Sequence, residues 1–280
     1  MKEAAIVILA GQSNAVGVGY TKYLSKYYDE KTEKKIREGY DKVKIHYISH
    51  DIASGGFVRT TVNCTERSKD TLGPEIGIAK VLEQAYPNQE FFIIKCAFGG
   101  TNLAHNWRSP STDVIYPSHM NCDPSLIPTR EDRREAGWCY DTLVKHLARC
   151  ETLLRDEGYE PRVLAFCWMQ GESDADATCD PSQYIPRYDA LLHDLHAAFP
   201  ELLKDCLHID AGISTTWTYH RQINQDKKEY AEKHGHIFID TIAEGLTTRT
   251  EPEEKPDIAH YDCGSTVRLG ELFASHVTLG

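Results

Sequence analysis

The chain has 280 residues, of which 41% are hydrophobic and 26% charged, as is ordinary for a soluble globular protein. Its formal net charge is −11 without a basic cluster, which argues against nucleic acid or an anionic membrane surface as a partner, because phosphate binding needs concentrated Lys and Arg. Neutral or weakly charged substrates fit this charge better.

Membrane and export signals are weak in this sequence. No apolar stretch reaches the roughly 18 residues that span a bilayer, and the N-terminal apolar run is too short for a signal peptide. The nine cysteines are scattered without a Cys-x-x-Cys pair, and buried reduced thiols are expected, which favours a reducing compartment. We expect a cytoplasmic protein, or the mature form of a secreted or periplasmic one.

Short apolar runs alternate with helical patterns along the whole chain, and this alternation predicts an α/β fold with a parallel sheet covered on both faces. We expect a three-layer α/β/α sandwich with about five central strands, formed by a single domain over residues 1–280. Strands are predicted at 4–10, 44–48, 91–97, 162–168, 206–213 and 236–240. Helices are predicted at 75–86, 140–157, 182–199, 221–234 and 265–277.

A long inserted loop near 102–137 interrupts this alternation. Irregular segments of this length are usually functional or disordered. Trp107, Tyr116 and Trp138 favour order, and two interpretations of these rings stay open. They contact a sugar ring, or they anchor the loop itself.

The stretch Gly11-Gln12-Ser13-Asn14 follows the first apolar run. A serine at the carboxyl end of a central strand lies where open α/β sheets place their sites. The stretch is not a phosphate-binding loop, since no lysine follows it. It is also not a full nucleophile elbow, because Ala15 stands where Gly-x-Ser-x-Gly requires glycine. A polar turn without function is the alternative.

Three more polar clusters are placed so that they can meet Ser13. Gly99-Gly100-Thr101 and Gln170-Gly171-Glu172 each follow a predicted strand, and the carboxyl ends of parallel strands share one edge of a sheet. Asp257-Ile258-Ala259-His260 lies just before the last helix, and its loop has only to reach that edge.

Acyl transfer needs a nucleophile, a base, and a group that orients the base. Ser13 can attack, His260 can take its proton, and Asp257 can hold the imidazole. Asp262 is a weaker candidate for the orienting role. A second Asp-x-x-His, Asp205 and His208, runs directly into a strand, where its two side chains should point to opposite faces.

These blocks, in this order, resemble those of the SGNH hydrolases, and most closely the branch of the sialate O-acetylesterases and the acetylxylan esterases of carbohydrate esterase family six. The Gly73-Pro74-Glu75 helix start also resembles this branch. The resemblance covers most of the chain and implies an SGNH, flavodoxin-like fold. It implies an oxyanion hole formed by the backbone N–H of Ser13, a backbone N–H of Gly100 or Gly99, and the side chain of Gln170, with Gln12, Asn14 and Glu172 in support.

The expected function is therefore that of a serine esterase that removes O-acetyl groups from a carbohydrate without a cofactor. A metal role is not expected, because the His and carboxylate residues show no ligand spacing such as His-Glu-x-x-His. Two alternatives stay open: a short-chain esterase for non-sugar esters, and a catalytically silent carbohydrate-binding module.

Overall fold

A computed structural model describes residues 2–50, 52–62, 64–65, 70–112, 136–248 and 250–279. Tyr116 and most of the predicted inserted loop lie outside the described residues, so the interpretation of Tyr116 as a sugar contact or an anchor stays open.

Ten strands and eight α-helices make up this part of the chain. The strands are β1 (Lys2–Gly11), β2 (Gly19–Tyr20), β3 (Tyr40–Ser49), β4 (Ile52–Ala53), β5 (Val58–Thr60), β6 (Thr71–Leu72), β7 (Phe91–Ala97), β8 (Tyr159–Met169), β9 (Leu207–Ala211) and β10 (Ile237–Ile239). The helices are α1 (Ser13–Val16), α2 (Leu24–Tyr27), α3 (Glu30–Glu38), α4 (Glu75–Ala85), α5 (Trp138–Asp156), α6 (Tyr184–Ala198), α7 (His220–His234) and α8 (Cys263–Ser275).

The main sheet has the order β10-β9-β8-β1-β7-β3-β4. Its strands from β10 to β3 are parallel, whereas the short strands β4 and β5 pair with β3 in the antiparallel sense. The predicted α/β class is therefore confirmed. Within the described residues the sheet holds six parallel strands, and each of them overlaps one of the six strands predicted from the sequence.

Strand β1 is the central strand, and its apolar residues from Ala4 to Ala10 are buried because sheet neighbours and helices enclose them. The chain first adds β3 and β7 on one side of β1 and then adds β8, β9 and β10 on the other. Ligand sites of open α/β sheets lie at the carboxyl ends of strands where the order reverses in this way. The end of β1, which leads into Ser13, is that position.

Two further sequence expectations concern cysteines and membranes. Six of the eight cysteines among the described residues are buried. None of the helices described here is long and apolar enough to cross a membrane.

Candidate active site

The serine at the end of β1 is held by a close approach of β8. Gly11 has φ +141°, and a Cβ atom there would lie 2.0 Å from the carbonyl oxygen of Met169, so only glycine fits. The next residue, Gln12, donates its backbone N–H to that same oxygen at 2.9 Å. Ser13 then begins the short helix α1 with its side chain nearly buried.

Asn14 connects the serine to two other loops. Its Nδ2 donates to Oε1 of Glu172 at 2.7 Å and, more weakly, to the carbonyl oxygen of Ala259 at 3.4 Å. Its Oδ1 accepts the backbone N–H of Tyr261 at 3.0 Å. Ala259 and Tyr261 flank His260, so Asn14 holds the backbone on both sides of the predicted base.

His260 and Asp257 form the predicted pair. Nδ1–H of His260 donates to Oδ2 of Asp257 over 2.6 Å, and the other carboxylate oxygen accepts the backbone N–H of Ala259 at 3.0 Å. Since a carboxylate only accepts, Nδ1 carries the proton and Nε2 of His260 is left as the acceptor. The hydroxyl of Thr216 donates to the carbonyl oxygen of Ile258 at 2.8 Å and further anchors this loop.

The alternative orienting group Asp262 and the second Asp-x-x-His make other contacts. Both carboxylate oxygens of Asp262 accept hydrogen bonds from Thr247 and Thr250, at 2.6 to 3.2 Å, so Asp262 organises the preceding loop. Asp205 and His208 line different cavities, as expected for two residues whose side chains diverge at the start of a strand.

Gln12 ties the serine loop to the loop after β8. Its Oε1 accepts from Nε2 of Gln170 at 3.2 Å, from the backbone of Ser173 at 3.2 Å and from that of Gly171 at 3.4 Å. Its Nε2 donates to the hydroxyl of Ser173 at 3.3 Å. The supporting positions predicted from the sequence motif thus bridge two strand ends.

Gln170 lies at the centre of this network and is fully buried. Besides Gln12, its Nε2 contacts the carbonyl oxygen of Thr101 at 3.1 Å and Oδ2 of Asp174 at 2.6 Å. Two amide hydrogens therefore serve three protein acceptors. The oxyanion role of Gln170 stays a prediction, and these contacts favour a different role, the tying together of three loops.

Asp174 is a residue that motif reasoning left without a role. It is nearly buried, and its carboxylate also accepts the backbone N–H of Leu103 at 3.1 to 3.2 Å, so it links the loop after β8 to the loop after β7. Burial raises the pKa of this carboxyl group, and the hydrogen bond from Gln170 acts in the opposite direction. Its only sequence signal was its place four residues after Gln170 at a strand end.

The loop after β7 contains Gly99 and Gly100, one of which is predicted to donate its backbone N–H to the oxyanion. Phe98 donates its backbone N–H to the carbonyl oxygen of Gly11 at 3.0 Å, which brings Gly99 and Gly100 next to the serine loop. Gly100 has φ +70° and is exposed. Asn102 follows, and its Oδ1 accepts the backbone N–H of His105 at 2.8 Å. The sequence motif did not indicate Asn102.

A buried ion pair supports the far end of helix α1. Nζ of Lys95 lies 2.7 Å from Oε2 of Glu75 and donates to the carbonyl oxygens of Val16 at 2.6 Å and Cys64 at 3.0 Å. The other oxygen of Glu75 accepts the backbone N–H of Gly73. The sequence motif did not indicate Lys95, which fixes the carboxyl end of the helix that Ser13 begins.

Two of the three aromatic residues considered with the predicted insertion fall in the described region, Trp107 within it and Trp138 at the start of α5. Trp107 is fully buried and donates Nε1–H to the hydroxyl of Thr101 at 2.9 Å. Trp138 is also buried, with its ring 4.6 Å from that of Phe98. Of the two open interpretations, these contacts favour anchoring of the loop over contact with a sugar.

Side chains suited to a metal are also separate from this edge of the sheet. Across the described ranges, the one group of three His, Cys, Asp or Glu side chains close enough to share an ion is His46, His146 and Cys150. It lies on β3 and α5, not in the loops that carry Ser13 and His260.

Comparison with known structures supports the fold. NanS superposes with a TM-score of 0.62 at 13% identity, over 97% of this chain and 95% of the other. A protein from Arabidopsis thaliana gives 0.59 at 18% identity, over 98% and 97%. A carbohydrate acetylesterase from Xanthomonas citri gives 0.55 at 10% identity, over 97% of this chain and 55% of the other. At these identities the similarity shows the fold alone.

Sequence comparison identifies the family. The family profile described as carbohydrate esterase, sialic acid-specific acetylesterase matches residues 3–278. No match was found among curated protein sequences. The match spans nearly the whole chain and confirms the resemblance based on the sequence blocks. The chain therefore belongs to the sialic acid-specific acetylesterase family of carbohydrate esterases.

Proposed function

We propose that this protein is a serine esterase that removes O-acetyl groups from a carbohydrate through an acyl-enzyme on Ser13. The observation that carries the proposal is the contact of Asn14 with the backbone on both sides of His260, because it joins the loop of the predicted base to the residue after the predicted nucleophile. Acetylated xylan, another acetylated sugar and O-acetylated sialic acid are the candidate substrates.

The proposed chemistry uses the hydrogen bond between His260 and Asp257. Oγ of Ser13 attacks the acetyl carbonyl carbon while Nε2 of His260 accepts the hydroxyl proton, and Asp257 stabilises the imidazolium through Nδ1–H. The sugar hydroxyl leaves with the proton from Nε2, and the acetyl group stays on Ser13. Water, deprotonated by the same imidazole, then releases acetate and restores the serine.

The developing oxyanion needs donors at the sheet edge. The proposed donors are the backbone N–H groups of Ser13 and Gly100, with Gln170 as the predicted third. To serve in that way, one amide hydrogen of Gln170 must leave Thr101 or Gln12, its present acceptors. Asn102 is a second candidate for the third donor, because its side-chain amide belongs to the loop that carries Gly99 and Gly100 at this edge of the sheet.

The first experiment measures acetate release from p-nitrophenyl acetate, acetylated xylo-oligosaccharide and O-acetylated sialic acid. We expect Ser13→Ala to abolish turnover while the protein keeps its fold by circular dichroism. Ser275→Ala, an exposed serine on α8, is the matched control and should behave as wild type. Near-normal turnover by Ser13→Ala would refute the mechanism.

The same substrates separate the alternatives. Turnover of the chromogenic ester without turnover of either sugar ester would identify a short-chain esterase for non-sugar esters. Binding of the sugars without release of acetate from any ester would identify a binding module. Mass spectrometry of His260→Ala after brief exposure to substrate should show no acetyl group on Ser13, because the serine is not activated.

A further inference from the structure

A second cluster of reactive side chains lies on β3 and α5. His46, His146 and Cys150 are all buried, and one ligand atom from each lies within 4.8 Å of the other two. The esterase mechanism uses none of them. Two imidazoles and one thiolate are donors that Zn²⁺ and other borderline-soft transition metals accept.

The helix places two of the donors on one face. His146 and Cys150 are four residues apart on α5, the spacing that lets two side chains of a helix bind one ion. Sγ of Cys150 lies 4.0 Å from Nε2 of His146. Tetrahedral zinc with its usual bond lengths sets sulfur and nitrogen about 3.5 Å apart, so a small side-chain rotation closes the difference.

Strand β3 supplies the third donor, His46, and a contact with Ser54 already orients its ring. Nδ1 of His46 lies 3.2 Å from the hydroxyl of Ser54, and that hydroxyl also accepts the backbone N–H of Tyr47 at 3.0 Å. Nε2 of His46 is buried and has no hydrogen-bond partner among the described residues. If Nδ1–H donates to Ser54, Nε2 presents a bare lone pair, which is the arrangement found in metal-ligating histidines.

Binding of an ion changes the charge of one donor. Zinc binds the thiolate of a cysteine and the neutral form of a histidine, so the Cys150 thiol must lose its proton when an ion binds.

The hydrogen bond of His146 must also change. Its Nε2 lies 3.3 Å from the carbonyl oxygen of His46, a long contact that is weak for a buried donor. Transfer of the ring proton to Nδ1 would release Nε2 for the ion. The two rings already meet edge to face, with centroids 4.7 Å apart.

We propose that His46, His146 and Cys150 form a structural site for Zn²⁺ or a similar borderline-soft transition-metal ion, separate from the esterase centre. Both elements that carry the ligands are regular secondary structure, so an ion there joins strand β3 to helix α5. The proposal does not depend on the esterase mechanism. Ester turnover should persist in the metal-free protein, and metal binding should persist in Ser13→Ala.

The test uses Co²⁺ as a spectroscopic substitute for Zn²⁺. Protein stripped with a chelator and kept reduced is titrated with Co²⁺. We expect one ion per chain, with a thiolate-to-cobalt charge-transfer band that added Zn²⁺ removes. Cys150→Ser should lose the band, and Ser54→Ala, which keeps all three ligands, should bind about 10–100-fold more weakly because the orientation of His46 is lost.

Two controls isolate this site. Cys96→Ser removes another buried thiol and should keep the band. His208→Gln should also keep it, because it alters a separate histidine-rich cavity lined by His196, His208 and His236. Zn²⁺ should raise the melting temperature of wild type and not of Cys150→Ser.

Four outcomes would contradict the proposed metal site. Absence of a charge-transfer band in the wild-type protein, or its persistence in Cys150→Ser, would overturn the proposal and leave the cluster as core packing. Loss of the band in His208→Gln would place the ion in the other cavity. If Cys150→Ser does not fold, the Co²⁺ affinity of Ser54→Ala decides, since an unchanged affinity there refutes the site.

Discussion

Tyr261 donates its backbone N–H to Oδ1 of Asn14 at 3.0 Å, between residues 247 positions apart in the chain. This bond fixes the residue after the proposed base to the residue after the proposed nucleophile. Because Asn14 also bonds to Glu172, three loops share one side chain. In the proposed mechanism, the position of His260 relative to Ser13 thus depends on an asparagine that takes no part in the chemistry.

Replacing Asn14 tests this positioning role. We expect Asn14→Ala to lower kcat about 10²-fold, the size of effect that a displacement of about 1 Å produces, with a smaller change in KM. Steady-state kinetics on p-nitrophenyl acetate measures both constants. Asn88→Ala, at an exposed position, is the control. An unchanged kcat in folded Asn14→Ala would show that the His260 loop is positioned without it.

Asp257 acts through His260 in the proposed mechanism. We therefore expect Asp257→Asn to reduce turnover less than His260→Ala, because the imidazole remains present in the first variant and only its tautomer and orientation suffer. The two variants are compared by kcat/KM on the same acetate ester. A loss in Asp257→Asn equal to or larger than that of His260→Ala would assign Asp257 another role.

Gln170→Leu separates the two roles of the buried glutamine. Loss of an oxyanion donor lowers kcat by about 10²–10³, or roughly 2.7–4 kcal/mol, and leaves KM little changed. Its three protein acceptors predict an additional loss of stability of about 1–3 kcal/mol, because Gln12, Thr101 and Asp174 lose a buried donor. Kinetics and thermal melting measure the two effects separately.

Asp174→Asn is the companion variant, since it disturbs the same loops while Gln170 remains in place. A loss of kcat as large as that of Gln170→Leu would show that Gln170 orders the loops and does not donate to the oxyanion. Normal kcat in Asp174→Asn beside a strong loss in Gln170→Leu would support direct donation. Raised KM with normal kcat in Gln170→Leu would place the residue in substrate binding.

For the buried pair of Lys95 and Glu75, we predict that removing one partner lowers the free energy of unfolding more than removing both does. Lys95→Met leaves a buried carboxylate and the carbonyl oxygen of Val16 without their donor, and we expect it to cost about 3–5 kcal/mol. The double variant with Glu75→Leu should recover part of that loss, because no unpaired charge remains.

Chemical denaturation measures these stabilities. The control is Arg268→Met, which breaks the ion pairs of a half-exposed arginine with Glu244 and Glu271 and should lower the free energy of unfolding by at most about 1 kcal/mol. A double variant less stable than Lys95→Met would contradict the argument from the buried charge.

Because His208 is buried, we predict that the stability of the protein decreases at acidic pH. Burial lowers its pKa from 6.5 to about 3, with smaller contributions from His236 and His196. Between these values the unfolded chain binds a proton that the folded chain does not, so the free energy of unfolding falls as pH drops from about 6.5 towards 3. One such group contributes at most about 1.4 kcal/mol per pH unit.

Denaturation midpoints of wild type and His208→Gln between pH 7 and pH 4 test this. The variant should lose less stability on acidification than wild type does. Parallel pH profiles for the two proteins would show that His208 is not buried in its neutral form.

The amino-acid sequence alone determined the class of fold and the order of the blocks. Continuous apolar runs such as the one before Gly11 mark strands buried on both faces, and parallel strands bring the residues after Ala10, Ala97 and Met169 to one edge. The pairing of Asp257 with His260 was also predictable, because the two residues are three apart in one short loop.

Only the tertiary structure decided which side chains those loops share. Asn14 meets Tyr261, Gln170 meets Thr101, and Lys95 meets the carbonyl oxygen of Val16 across 247, 69 and 79 positions of sequence. Residue types and spacing within a loop do not encode such partners, because the order of the strands sets them. A glutamine at a strand end can donate to substrate or to neighbouring loops, and the acceptors packed around it make the difference.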